Sequence, residues 1–445
     1  MADGGWQFET TAICHLPSIS DLWHASFVEP LKMAKKLIPD PELEQLVREL
    51  NETDDSVERR SLRAPAGLDT SAATSASLSA GSAAAAPLEA LLIEMAQRGA
   101  SDLLIIAGVP PVFRVAGRLS QSTDAPLSAD EIQSLLGNLV GGKLRERIDS
   151  EGAADFSLRL AKTATDDDRR AWRFRVNVHR QRGTIAAAIR ALPTEVPTLT
   201  QLRLPLTLAE LVKPRRGLVL VCGPTGSGKS TTLAALVGEI NRNEARHVIT
   251  IEDPIEYEHR NAKSIIEQIE VGRDAPSFAA ALRASLRQDP DVILVGEMRD
   301  LETVATALTA AETGHLILST LHTSDVASAI HRIVDVFPSA QQTQIKQQLA
   351  LSLNAIVVQQ LIPRSDGTAS VVAVEVLHAT YAVRNQIRND KLQNLAQEIT
   401  LGKRQGMMTI EESLVRLVQD GLITLEEARV RASRPDELES LMRGR

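Results

Sequence analysis

Three hydrophobic rhythms follow one another along this chain. After Pro87, Leu88, Leu91, Leu92 and Met95 recur three and four residues apart, the spacing of one face of a helix. "DLLIIAG" from Asp102 and "PVFRVAG" from Pro111 are short apolar runs closed by glycine and predict strands, whereas "LSADEIQSLLGNLV" predicts a helix capped near Ser128. "WRFRVNVHRQ" and "GTIAAAIRAL" then read as two more strands. A period of two puts Arg173 and Arg175 on one face, opposite Phe174 and Val176. Together these elements predict a mixed α+β domain over residues 87–200.

From about Leu208 the rhythm changes to short, continuously apolar runs, as in strands of a parallel sheet covered on both sides. "GLVLV", "HVITIEDPIEY", "DVILVGEMRD" and "LILSTL" are the predicted strands. "STTLAALVGEIN" carries Leu233, Leu236, Val237 and Ile240 on one helical stripe. "SFAAALRASLRQDPD", capped by Ser277, carries Phe278, Ala281, Leu282 and Leu286, and "DLETVATALTAAETG" carries Leu301, Val304, Ala305 and Leu308 before stopping at Gly314. Strand and helix alternate, so residues 208–377 are expected to form a doubly wound α/β core, with residues 378–445 as a helical subdomain. Upstream, residues 1–51 mix apolar and charged positions, and "DPELEQLVREL" could place Leu43, Leu46, Val47 and Leu50 on one side of a helix. Residues 52–86 are Ser- and Ala-rich, too poor in large apolar groups to offset ordering entropy, and are expected to be a flexible linker. No internal repeat is visible.

Composition narrows the class. The 445 residues suffice for two or three domains, and 43% hydrophobic content is that of an ordinary soluble protein. No apolar run approaches the roughly 20 residues of a spanning helix, and no secretion signal follows Met1, so a cytoplasmic protein is expected. Two cysteines, Cys14 and Cys222, cannot build a disulfide scaffold or a four-thiolate zinc site. A formal charge of -8 argues against a duplex nucleic acid partner.

The chemistry concentrates after the first parallel strand. Gly223-Pro224-Thr225-Gly226-Ser227-Gly228-Lys229-Ser230 has the spacing G-x-x-x-x-G-K-[ST] between a strand and a helix, the context of a phosphate-binding P-loop. Glycines let successive N–H groups turn toward phosphates at a helix N-terminus. Lys229 is expected to reach the phosphates, with Thr231 beside it, and the Ser230 hydroxyl to ligate Mg²⁺. Two later strands end in acids: Glu252 and Asp253, with Glu256 just beyond, and then Glu297. In an open parallel sheet these ends lie beside the P-loop, where a carboxylate can hold Mg²⁺ or its waters and a second can orient attacking water. Helix capping is the plainer role for each acid. "LILSTL" is bracketed by His315 and His322, which read either as structural hydrogen bonders or as a paired γ-phosphate sensor. The whole describes a RecA-like P-loop ATPase core.

"GLVLVCGPTGSGKSTTLAAL", "ITIEDPIEY", "ALRASLRQDPDVILVGEMRDLETVATALTAAETGHLILSTLHTSD" and "RIVDVFP" resemble the Walker A, Asp box, Walker B and His box segments of the type II and type IV secretion ATPase superfamily. Within it the chain is most similar to the PilT-type pilus retraction ATPases, from Ser101 to the C-terminus. Assembly and secretion members usually carry paired CxxC motifs, which this chain lacks. Retraction members carry "AIRNLIR", here "AVRNQIR" from Ala382 to Arg388. Its Val383 and Ile387 stripe beside Arg384 and Arg388 suits docking on a neighbour, or else a plain solvated helix.

The resemblance implies a homohexamer that hydrolyses ATP with Mg²⁺ to power pilin disassembly, at the cytoplasmic face of the inner membrane. It would engage a membrane platform protein and a paralogous retraction ATPase where one is present, with no direct nucleic acid contact. It also implies a PAS-like N-terminal α+β domain whose arginines complete the nucleotide site, best matched by Arg175 and Arg190, with Arg182 a third and "TLTQLRLPL" as hinge. The catalytic set is then Glu256, Glu297 (on Mg²⁺ through water), Arg175, Arg190 and His322, with His315 at the phosphates and Glu252 and Asp253 near the metal. Three other classes stay in view. These are an assembly or type II secretion ATPase, a non-hydrolysing nucleotide-binding subunit, and a DNA or GTP-dependent P-loop protein, the last lacking an N-K-x-D tetrapeptide.

Overall fold

The computed structural model describes residues 76–78 and 87–444, apart from Ala116, Asn138, residues 162–170 and Thr368. The chain divides into residues 1–71 and 72–445, and every described residue lies in the second unit. The helix expected around Leu43 to Leu50 falls outside the described residues.

Two seven-stranded sheets organise the described chain. The first is built from β1 (Ala76–Leu78), α1 (Pro87–Gln97), β2 (Asp102–Ile105), β3 (Val112–Val115), β4 (Arg118–Gln121), α2 (Ala129–Gly137), α3 (Gly142–Glu151), β5 (Ala153–Leu160), β6 (Trp172–Gln181) and β7 (Thr184–Leu192). Its strand order is β1-β5-β6-β7-β2-β3-β4. Leu92 and Met95 of α1 and Ile132 and Leu136 of α2 bury against Phe174, Val176 and Ile189 of the sheet. Ser128 and Glu131 exchange hydrogen bonds ahead of α2, so the expected cap is present. β6 turns into β7 through Arg182 and Gly183, both at positive φ, the two-residue hairpin whose twist matches its strands. β1 corrects the linker expectation at three residues: Ala76–Leu78 pairs in parallel with Leu158–Leu160, because edge pairing uses backbone groups and does not require large side chains.

The second sheet follows a 3₁₀ turn at Leu206–Val212. It comprises β8 (Gly217–Cys222), α4 (Lys229–Asn243), β9 (His247–Glu252), β10 (Ile265–Glu270), α5 (Phe278–Ser285), β11 (Val292–Val295), α6 (Leu301–Thr313), β12 (Leu316–Leu321), α7 (Val326–Val334), α8 (Ser339–Ser352), β13 (Leu353–Pro363) and β14 (Ser370–His378). The order is β10-β9-β11-β12-β8-β13-β14, parallel throughout except for β14. Every residue of β8, β11 and β12 is buried, which is why these segments read as unbroken apolar runs. Leu199 and Leu204, within the expected hinge, are buried in the core on one face of this sheet, so that segment is anchored to the motor.

Five helices complete the chain: α9 (Tyr381–Arg388), α10 (Leu395–Leu401), α11 (Ile410–Gln419), α12 (Leu425–Arg431) and α13 (Pro435–Arg443). The last three close over Ile362, Val371 and Ala373 of β13 and β14. α9 corrects the docking expectation for the AVRNQIR motif. Val383 and Ile387 are fully buried in the chain's own core. Arg384 donates to the carbonyl of Ala379 (2.8 Å), just past β14, and to those of Leu351 (2.6 Å) and Ala350, satisfying two carbonyls at the end of α8 that no intrahelical N–H can reach. Gln386, where the related motif has leucine, donates to Glu398 and accepts from Asn394, each at 3.2 Å. Arg388, half-buried, lies over the ring of the exposed Tyr381.

Candidate active site

The P-loop leaves the carboxyl end of β8 and enters α4 at Lys229. Gly228, at φ 86°, is the N-cap with no side-chain cap, so the first N–H groups of the helix stay open to an anion. Gly223 is required sterically: a Cβ there would lie 2.4 Å from the Gln359 carbonyl and 2.5 Å from Ser227 Oγ. Gln359 on β13, fully buried, donates to the Ser227 carbonyl at 2.6 Å and braces the loop from behind. Ser227 Oγ is itself buried with no hydrogen-bond partner. That orphaned hydroxyl, with the open helix end, fits a phosphate-bearing ligand. Lys229 Nζ meanwhile donates to the carbonyls of Gly223 (2.9 Å) and Pro224 (3.0 Å). Burial lowers its pKa, and its acidic neighbours, Glu297 and Glu256 among them, oppose that shift.

His322 ends β12 and closes the other side. Its Nδ1 is 3.4 Å from Lys229 Nζ and 3.5 Å from Thr225 Oγ1, and its Nε2 is 3.8 Å from Glu297 Oε2. An ammonium can only donate, so Nδ1 accepts and the proton sits on Nε2, toward Glu297. Burial and the nearby Lys229 charge push its pKa below the ordinary value, keeping the ring neutral near pH 7. Glu297, just past β11, is held by Arg299 at 2.7 Å. Thr320 Oγ1 donates to the Gly296 carbonyl at 2.6 Å, and Gly296 itself has little room for a Cβ, 3.1 Å from the Ile251 carbonyl. Ser230 is exposed at the helix start, and Thr231 Oγ1 lies 3.0 Å from the Tyr257 hydroxyl.

Two expectations need correction. His315 stands at the opposite end of β12 from His322, where its carbonyl accepts from Gly217 at the start of β8 and its ring bonds the Ala310 carbonyl. A six-residue strand, about 20 Å long, separates the two rings. His315 therefore lies away from the phosphates and is a structural hydrogen bonder. Glu252 is not turned out toward a metal: its carboxylate accepts from Thr250 Oγ1 (2.7 Å) and Gln268 Nε2 (3.2 Å), and burial raises its pKa. It supports the loop that carries Glu256. Asp253 is exposed on that same loop.

Arg175 and Arg190 sit directly opposite each other on β6 and β7, the first 3.5 Å from Asp155 and the second 2.8 Å from Asp102. Arg190 is exposed and Arg175 half-buried on the N-terminal sheet, and their ion pairs are to acids of that same sheet. Arg173, two residues from Arg175, was missed as a functional candidate. It is buried and donates to the carbonyls of Ile255 (2.8 Å) and Glu256 (3.1 Å). Its neighbour Arg175 shares its face in any strand reading, so sequence alone could not tell them apart. Gln359 was also missed, although a glutamine inside "VVQQLIP" is a polar residue in a buried strand. Among the described residues no three His, Cys, Asp or Glu side chains gather as a ready-made metal cage. Mg²⁺ does not need one, since it commonly uses one or two protein ligands plus phosphates and water.

A P-loop after β8, an acid-ended β11 and the intervening β12 ending at His322 define a RecA-like P-loop ATPase. The sequence family described as "Type II/IV secretion system protein" matches residues 173–440. The type IV pilus retractation ATPase PilT of Pseudomonas aeruginosa is 42% identical over 346 residues, 78% of this chain and 98% of that protein. A twitching motility protein of Neisseria gonorrhoeae is 42% identical over 75% of this chain and 87% of its own length. A crystal structure of the pilus retraction motor PilT with bound ADP aligns at TM-score 0.72 and 45% identity, covering 80% of this chain and 99% of that one. The chain belongs to the type II/IV secretion ATPase family, as a PilT-type ATPase.

Proposed function

We propose that this chain is a motor ATPase that hydrolyses ATP to retract type IV pili. The observation that carries the reading is the meeting of Lys229, His322 and Glu297 at the carboxyl edge of the parallel sheet, in a chain alignable over nearly all of a retraction motor. Lys229 and the open N–H groups of α4 hold the phosphates. Ser230 and Glu297 are the residues that would hold Mg²⁺. The metal would supply positive charge against the phosphate oxygens as negative charge builds there. Glu256 orients the attacking water, and neutral His322 donates from Nε2 toward the Glu297 side of the site. Arg175 and Arg190, already paired with acids on an exposed sheet face, are available to a nucleotide only across a domain or subunit boundary. This favours a ring, which we take to be a homohexamer. There each guanidinium could be worth roughly 10³-fold or more in rate.

Work of this kind is done at the cytoplasmic face of the inner membrane through a platform protein, alongside a paralogous motor where one exists. No described helix is long and apolar enough to cross a membrane. The chain's two cysteines cannot supply the paired CxxC motifs usual in assembly motors. The leucine-to-glutamine departure at Gln386 is absorbed by its partners Glu398 and Asn394 rather than left as a defect. Deletion of the gene in its host should leave surface pili in excess and abolish twitching. Loss of pili instead would assign the chain to assembly.

A further inference from the structure

Arg159 and Arg173 are cross-strand partners on β5 and β6, a placement in which like charges repel. What lies between them is Glu258, contributed by the loop that follows β9 in the motor sheet. Arg173 Nε is 3.1 Å from its carboxylate, and an Arg159 nitrogen bonds the same oxygen. The remaining donors of Arg173 reach the Ile255 and Glu256 carbonyls, so one buried guanidinium grips the loop at three residues, Ile255, Glu256 and Glu258. On its far side the same loop is fixed to the motor: Glu270 accepts from the Ile255 N–H (3.1 Å), Gln268 bonds the Tyr257 carbonyl (2.9 Å) and the His259 N–H (2.8 Å), and Tyr257 meets Thr231. Glu256 is thus slung between the N-terminal sheet and the P-loop helix.

We infer that Arg173 is a positioning residue: it ties the placement of Glu256, and hence turnover, to where the N-terminal sheet sits against the motor of the same subunit. The inference rests on the reading of Glu256 as the water-orienting carboxylate. It differs from the role given to Arg175 and Arg190, because Arg173 points its charge at main-chain oxygens of the loop and not at phosphate. A planar five-donor fork suits this contact, and a lysine, with one compact ammonium, cannot hold all three acceptors. When the sheet moves away, the two carbonyls and Glu258 lose their donors and Glu256 loses its fixed position.

A double-mutant cycle on the full-length oligomer tests this. Arg173→Ala should lower kcat at least about tenfold, with KM for ATP and affinity for ADP within about twofold of wild type, and Arg173→Lys should restore only part of the loss. In a Glu256→Gln background Arg173→Ala should cost nothing further, because a positioning residue acts through the group it places. Glu258→Gln, which keeps the volume of the side chain, should show the same kcat-only pattern if Arg173→Ala does not fold. Multiplicative losses in the double variant, or a fall in ADP affinity matching the fall in kcat, would overturn the inference. Full turnover in Glu256→Gln alone would instead remove the reading on which it rests.

Discussion

At the scale of single residues the site separates groups that bind from groups that move water. On the proposed reading, Lys229, Ser227 and the loop N–H groups hold phosphate whether or not the bond breaks, while Glu256, through water, and Glu297, through Mg²⁺, serve the cleavage itself. Glu256→Gln and Glu297→Gln should therefore each reduce kcat by about 100-fold or more while ADP titrations stay near wild type, since a glutamine keeps the shape and removes the charge. Rates unchanged in both variants, in assays run side by side with ADP binding, would mean the catalytic carboxylate has been misplaced. Much of this was legible from the chain because it is local: strand, glycine loop, lysine and helix start fall within fifteen residues, and each constrains the next. His315 shows where locality misleads. Seven positions from His322 in sequence, it is about 20 Å away along an extended strand.

At the scale of elements, the helical cap over β14 carries a titratable joint. Glu375 lies level with Val358, itself level with Cys222 at the head of the P-loop. Burial, and then the nearby Glu411, push its carboxyl up to about 7, against the pull of Arg434. Glu411, fully buried, accepts from the Arg434 N–H at 2.8 Å and from its guanidinium at 3.0 Å. The folded state thus holds the Glu375 proton longer than the unfolded chain does. Stability is lost as pH rises from about 4.5 through about 7, and the loss is complete above that window. Glu375→Gln should raise the melting temperature at about pH 8 and leave it little changed at about pH 5, the gain being at most on the order of 3 kcal/mol. An equal effect at both pH values would place the cause in packing rather than charge. The sequence pattern anticipated the helices of this cap but not their allegiance. α9 has a stripe that looks equally suited to a neighbour or to its own core, and only the packing of Val383 and Ile387 beneath the sheet decides it. The short β1 escaped notice for a different reason, since backbone pairing leaves no trace in side-chain hydrophobicity.

At the scale of the whole molecule, two sheets share one loop. The N-terminal sheet contributes Arg159 and Arg173 to the residues around Glu256, and the motor contributes Gln268 and Glu270 of β10 and Thr231 of α4. The arginine contacts join residues 82 to 99 positions apart, so no periodicity or motif announces them. They give the chemistry a way to report on domain position, which is what a motor needs. The account depends on ATP being bound and cleaved at Lys229. Calorimetric titration of the assembled protein with ATP and Mg²⁺ tests it most directly. Saturable uptake that disappears in Lys229→Ala is the predicted result, and an absence of ATP binding by the intact oligomer would contradict it.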